Sequence, residues 1–205
     1  MDYFTSGLDL SDPDAAFRRG FTSIDKHDHH LITRIENTLN NGDRLFIIDG
    51  PTRFSWDQGT TEADAFDMLA RTLTKVGATA RFIVGPRTLA HPCHGRHGRR
   101  WAQNPYRLTP HVSTTDMMVA AGEDTLIAAL PYTSHIPAPA ALEQWRLRDM
   151  GAPLIHGTPA NTDCVLTHSD NGSIQYCVDF DLHNGLVSKK TLFDHLDTAL
   201  VGTHI

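Results

Sequence analysis

The sequence predicts an α/β fold: a mostly parallel sheet built from two βαβ-like halves, with added β-hairpins and flanking helices. Three observations lead there. The runs Leu45–Ile48, Ala80–Val84 and Leu126–Leu130 are continuously apolar, as strands buried on both faces must be. Between and around them, apolar residues recur at helical spacing and end at glycine. The chain has 205 residues with 40% hydrophobic and 20% charged content, enough for one ordinary buried core. The expectation is a single α/β domain over residues 1–205.

Residues 1–23 read as an irregular lead-in with a short amphipathic piece at Ala15, Ala16 and Phe17. A helix over Asp25–Asn40 follows from Leu31, Ile32, Ile35 and Leu39, with Asn40-Asn41-Gly42 as its stop. After the strand at Leu45–Ile48, Thr61 with Asp64 forms a capping pair for a helix whose inward stripe is Phe66, Leu69, Ala70, Leu73 and Val76, ended by Gly77. The strand Ala80–Val84 completes the first βαβ unit.

The second half repeats the pattern more briefly. Leu126–Leu130 is strand-like, Pro139 starts a helix carrying Ala141, Leu142 and Trp145, Gly151 stops it, and Pro153-Leu154-Ile155 resumes as strand. Two hairpins add to the sheet. Asp116–Leu130 turns at Ala121-Gly122-Glu123-Asp124, and Cys164–Asp181 turns at Asp170-Asn171-Gly172. The last helix, Ser188–Leu200, directs Leu192, Phe193, Leu196 and Leu200 inward.

Charge is distributed unevenly along the chain. The net charge is −6, yet Arg87–His111 holds five arginines (Arg87, Arg96, Arg99, Arg100, Arg107), four histidines (His91, His94, His97, His111) and Cys93 without a carboxylate. The long basic loop at 86–115 is therefore the expected meeting place for an anion, a metal or a partner. With fourteen arginines against four lysines, its contacts are of the planar, bidentate kind suited to phosphate. Net acidity opposes nonspecific binding to duplex DNA. Trp101 and Tyr106 in the same segment can stack on bases or fill a partner's pocket.

In open α/β sheets, ligands bind beyond the carboxyl ends of the strands. The residues there are Asp49-Gly50-Pro51-Thr52-Arg53, Gly85-Pro86-Arg87, Pro131-Tyr132 and His156-Gly157-Thr158. The site expected from this rule has Asp49, His94, His97 and His156 handling protons or attack, and Arg53, Arg87, Arg96, Arg99 and Arg100 holding phosphate. His91, Cys93 and His94 are the ligand types for a divalent metal such as zinc, although their spacing matches no zinc module. His27-Asp28-His29-His30 is a second donor-rich cluster, at a helix start.

His111-Val-Ser113 and His156-Gly-Thr158 share the His-x-Ser/Thr form of two-histidine phosphoesterases. The order of elements resembles a phospholipase D-like nuclease domain. That family's His-x-Lys is absent; His94-Gly-Arg96 and His97-Gly-Arg99 are the nearest forms. Phosphate loops, dinucleotide turns, nucleophile elbows and His-Glu-x-x-His are absent as well.

The functional expectation is phosphate-ester or phosphodiester handling, nuclease-like hydrolysis included, with a nucleotide or nucleic acid at the basic loop. The alternative is a non-catalytic subunit that offers the 86–115 loop to a protein partner, a second copy or nucleic acid. No run reaches the roughly 18 apolar residues of a membrane span. The three cysteines, Cys93, Cys164 and Cys177, form no disulfide framework, so a reducing, cytoplasmic setting is expected.

Overall fold

The computed structural model describes residues 1–48, 59–83, 112–115, 118–121, 126–129, 154–156, 166–168 and 174–202. Among the described residues the fold is α/β with two five-stranded sheets, the first mostly parallel and the second mixed. The first contains β1 (Asp2–Ser6), β2 (Arg44–Ile48), β3 (Thr79–Ile83), β4 (Val112–Thr115) and β10 (Val187–Ser188). Its order is β10-β1-β2-β3-β4, with β1 to β4 parallel and β10 antiparallel to β1. The second contains β5 (Met118–Ala121), β6 (Leu126–Ala129), β7 (Leu154–His156), β8 (Leu166–His168) and β9 (Ile174–Cys177). In its order, β5-β6-β7-β9-β8, the three central strands are parallel and both edges antiparallel.

Side chains alternate across β1, so Tyr3 packs on one apolar cluster and Phe4 on another. The first cluster joins the sheet to α2 (Ile24–Thr38) and α3 (Gly59–Val76) through Leu31, Ile35, Phe66, Leu69, Leu73 and Phe82, and α1 (Pro13–Arg18) lies against α2. The second joins Phe4, Phe46, Ile48 and Ile83 of the first sheet to Ile155, Ile174 and Tyr176 of the second. Leu192 and Leu196 of the final helix, α5 (Lys189–Gly202), complete it. A short helix, α4 (Phe180–His183), connects β9 to β10.

Local chemistry explains the boundaries. Asp12 caps α1 by accepting from the amides of Asp14 and Ala15, and Pro13 fits its first turn, where an amide hydrogen would be unused. The Ser23 side chain caps α2 at the Lys26 amide. Gly77 ends α3 at φ +78, from where its amide and that of Ala78 both reach the Leu73 carbonyl.

The structure corrects four expectations. Residues 2–6 are not an irregular lead-in: they form β1, hydrogen-bonded on both sides, while of the amphipathic piece Ala15 and Ala16 are buried and Phe17 is exposed. Leu126–Ala129 belongs to the second sheet, not to the sheet of β2 and β3, because its partners are β5 and β7. Val112–Thr115, assigned to the end of the basic loop, pairs with β3 as β4. The helix around Thr61 already runs from Gly59, so Thr61 lies inside it rather than capping it. For the second βαβ unit, β6 and β7 are parallel as expected, while residues 130–153 between them lie outside the described residues.

Candidate functional site at the carboxyl edge

Register brings the strand ends together. Ser6 pairs with Ile48, Ile48 with Ile83, and Ile83 with Thr115, so four parallel strands of the first sheet finish side by side. In the second sheet, β7 ends at His156, opposite Cys177 of β9. Beyond Cys177 the chain continues through Val178, whose carbonyl accepts the Ser6 amide at 3.0 Å, to Asp179, which forms a parallel bridge with Ser6. At this seam the two sheets meet at their carboxyl ends, the edge at which open α/β sheets bind ligands.

Of the residues expected to form the site, His156 is placed: it is the last residue of β7. Ser113 of the His111-Val-Ser113 form is on β4. Asp49, Arg53, Arg87, His91, Cys93, His94, Arg96, His97, Arg99 and Arg100 lie outside the described residues. The positions from which their segments depart, Ile48 and Ile83, are register partners.

The segment that leaves β1 at this edge was not among the expected site residues. Gly7, Asp9 and Ser11 have φ of +64, +46 and +59, so every second residue is left-handed, an arrangement unfavourable for Asp9 and Ser11. Leu8 and Leu10 between them are buried in the helix-side core and anchor the strap. Arg19, just past α1, holds its backbone. The guanidinium donates from Nη2 to the Gly7 carbonyl at 2.6 Å, from Nη1 to the Leu8 carbonyl at 3.1 Å, and from Nε to the Asp181 carboxylate at 2.7 Å.

A histidine extends this network. Arg19 Nη1 lies 2.7 Å from His27 Nε2, and His27 Nδ1 lies 2.8 Å from Asp28 Oδ1. Because the guanidinium can only donate, His27 accepts at Nε2 and donates from Nδ1–H to Asp28. Asp28 in turn accepts from the Ser11 amide at 3.0 Å, which closes a circuit around the strap. The cluster His27-Asp28-His29-His30 therefore divides: helical geometry buries His27 and Asp28 in this circuit and exposes His29 and His30. Among the described residues, no group of three or more His, Cys, Asp or Glu is placed to hold a metal ion. The signal that could have found the strap is the alternation of apolar and turn-forming residues in Gly7-Leu-Asp-Leu-Ser-Asp12.

Ser6 itself carries an anomaly. It is buried, and among the described residues its hydroxyl has no hydrogen-bond partner. Its amide and carbonyl are both engaged, by Val178 and by the Thr5 hydroxyl.

A second polar group lies within the inter-sheet core. The Tyr176 hydroxyl is 2.7 Å from His195 Nδ1, and its ring stacks on His183 at 5.6 Å between centroids. His183 Nε2 donates to the Cys177 carbonyl at 2.8 Å. Burial, with a smaller contribution from Cys177, pushes the Tyr176 phenol up to about 12.

No family model matches the chain. It is similar to the Gene 66 protein of Mycobacterium phage D29, at 28% identity over 160 residues covering 76% of each chain. Among solved structures it resembles the protein of unknown function AQ665 from Aquifex aeolicus, with a TM-score of 0.55, 11% identity and coverage of 95% of this chain and 98% of that one. The second likeness shows a shared fold. Among the described residues no helix is long and apolar enough to cross a membrane.

Proposed function

We propose that the protein handles a phosphate ester or phosphodiester, with a nucleotide or nucleic-acid substrate, at the carboxyl edge of its sheets. Asp49, His94, His97 and His156 are its proton-handling or attacking groups, and Arg53, Arg87, Arg96, Arg99 and Arg100 hold the phosphate. His91, Cys93 and His94 are its candidate ligands for a divalent metal such as zinc. The observation that supports this reading most is the register: the segments beginning at Asp49 and at Val84 leave from paired positions on adjacent parallel strands. The segments that carry the carboxylate and the arginine and histidine block therefore depart from neighbouring strand ends. The two-halved architecture belongs to the same proposal, with a helix within residues 139–150 crossing between β6 and β7. The setting is cytoplasmic, in keeping with three cysteines whose spacing forms no disulfide framework.

The test is turnover of bis(p-nitrophenyl) phosphate, p-nitrophenyl phosphate and nucleotides by the full chain, with and without zinc, alongside binding of inorganic phosphate. Asp49→Asn and His156→Ala are expected to abolish turnover with little change in melting temperature. Asp49→Asn would cost about 1 kcal/mol if that carboxylate were only a cap. Wild-type protein that neither binds phosphate nor turns over any of these would leave the second possibility: a non-catalytic subunit whose 86–115 segment meets a protein partner or a second copy.

A further inference from the structure

We propose that the Ser6 hydroxyl contacts the ligand at the carboxyl edge, donating a hydrogen bond to a phosphate oxygen; this rests on the proposed phosphate site at that edge. Ser6 is the last residue of β1 and only 1% exposed. Strand alternation puts its side chain on the face of Phe4, and its register partner Ile48 is buried in the same inter-sheet cluster as Phe4. The hydroxyl therefore sits at the carboxyl end of an apolar layer. Serine there keeps a buried polar atom with no partner among the described residues, an uncommon condition that needs a reason.

Among the described residues, local satisfaction is not available to it. Serine hydroxyls normally turn to a nearby backbone group. Here the residue's own amide donates to Val178, and the neighbouring Thr5 hydroxyl has taken the Ser6 carbonyl at 3.5 Å. The backbone cannot shift to find another partner, because Ser6 pairs with Ile48 on one side and Asp179 on the other. The next two carbonyls are held by Arg19. A fixed, dehydrated hydroxyl at the end of four aligned strands is a preorganised donor. It suits a tetrahedral oxyanion, whose oxygens are strong acceptors and whose binding supplies the missing hydrogen bond.

The experiment measures inorganic phosphate binding by calorimetry, together with melting temperature, for the full-length wild type, Ser6→Ala and Ser6→Cys. The cysteine variant keeps the side chain near its original size with a weak donor. The expected result is phosphate binding by the wild type, about tenfold weaker binding by Ser6→Ala and an intermediate value for Ser6→Cys. The unliganded Ser6→Ala protein should melt at or above the wild-type temperature, since it no longer buries an unpaired hydroxyl. If Ser6→Ala binds phosphate as the wild type does, the Ser6 role is overturned while the site stands. A lower melting temperature for Ser6→Ala would mean that the hydroxyl has a structural partner, and would overturn it as well. A wild type that binds no phosphate overturns the carboxyl-edge reading and the Ser6 role together.

Discussion

Arg19 is the residue on which the β1 exit depends. One guanidinium binds two successive backbone carbonyls, the Asp181 carboxylate and His27, and its side chain is only 13% exposed. Lysine has a single ammonium and cannot span these directions. Arg19→Lys is therefore expected to cost about 2–4 kcal/mol in urea unfolding, because it leaves buried acceptors without donors. Arg18→Lys, at a half-exposed site 3.8 Å from Asp9, should cost less than about 0.5 kcal/mol. Tyr176 gives a prediction in pH. Its folded-state phenol is raised from 10.0 to about 12, so the unfolded chain ionises first. The stability it contributes is complete below about pH 10 and is lost as pH rises towards 12. Ultraviolet titration should show a late-ionising tyrosine that Tyr176→Phe removes, and the same substitution should flatten the fall in stability over that window.

Turns are where backbone geometry limits the choice of residue most. Gly77 and Gly42 both have positive φ, and the Gly42 amide donates to the Gly77 carbonyl at 2.9 Å, tying the two turns at the amino edge. A Cβ at Gly77 would lie 2.6 Å from Asn41 Oδ1, whereas one at Gly42 would meet nothing within 4 Å. Gly42→Ala should cost about 1 kcal/mol for the left-handed backbone alone, and Gly77→Ala about 1–3 kcal/mol. The order matters more than the values; equal costs would mean that Asn41 moves aside freely. Gly77 was legible because a helical stripe stops there, and β2 and β3 because a short, unbroken apolar run between turn residues suits a strand buried on both faces. β1 was illegible. In Asp2-Tyr-Phe-Thr-Ser6 only Phe4 is strongly apolar, and the burial of Thr5 and Ser6 comes from partners far along the chain, at β2 and Asp179. Leu126–Ala129 was legible as a strand but not as a member of the second sheet, since apolarity records burial and not the identity of the neighbour.

At the scale of the molecule, the two sheets share a core rather than dividing it. Phe4, Phe46, Ile48 and Ile83 from one pack with Ile155, Ile174 and Tyr176 from the other, and α5 seals the cluster through Leu192 and Leu196. The same arrangement explains which part of the candidate site could be read in advance. Asp49, His156 and the Arg87–His111 block stand out by residue type and by position after apolar runs. The isolation of the Ser6 hydroxyl exists only once β9 and β1 have met. Neither sheet buries its inner face alone, so the second sheet is not expected to melt before the first. Ile155→Ala in the shared cluster and Leu69→Ala in the helix-side cluster each truncate a fully buried side chain and should each cost about 2–5 kcal/mol. Both should move one transition to lower denaturant while leaving its slope unchanged, with circular dichroism and tryptophan fluorescence coincident. If Ile155→Ala separated the two signals, with part of the ellipticity lost at lower urea, the second sheet would be an independent unit. The seam at Ser6 and Asp179 would then be a contact between domains rather than the inside of one.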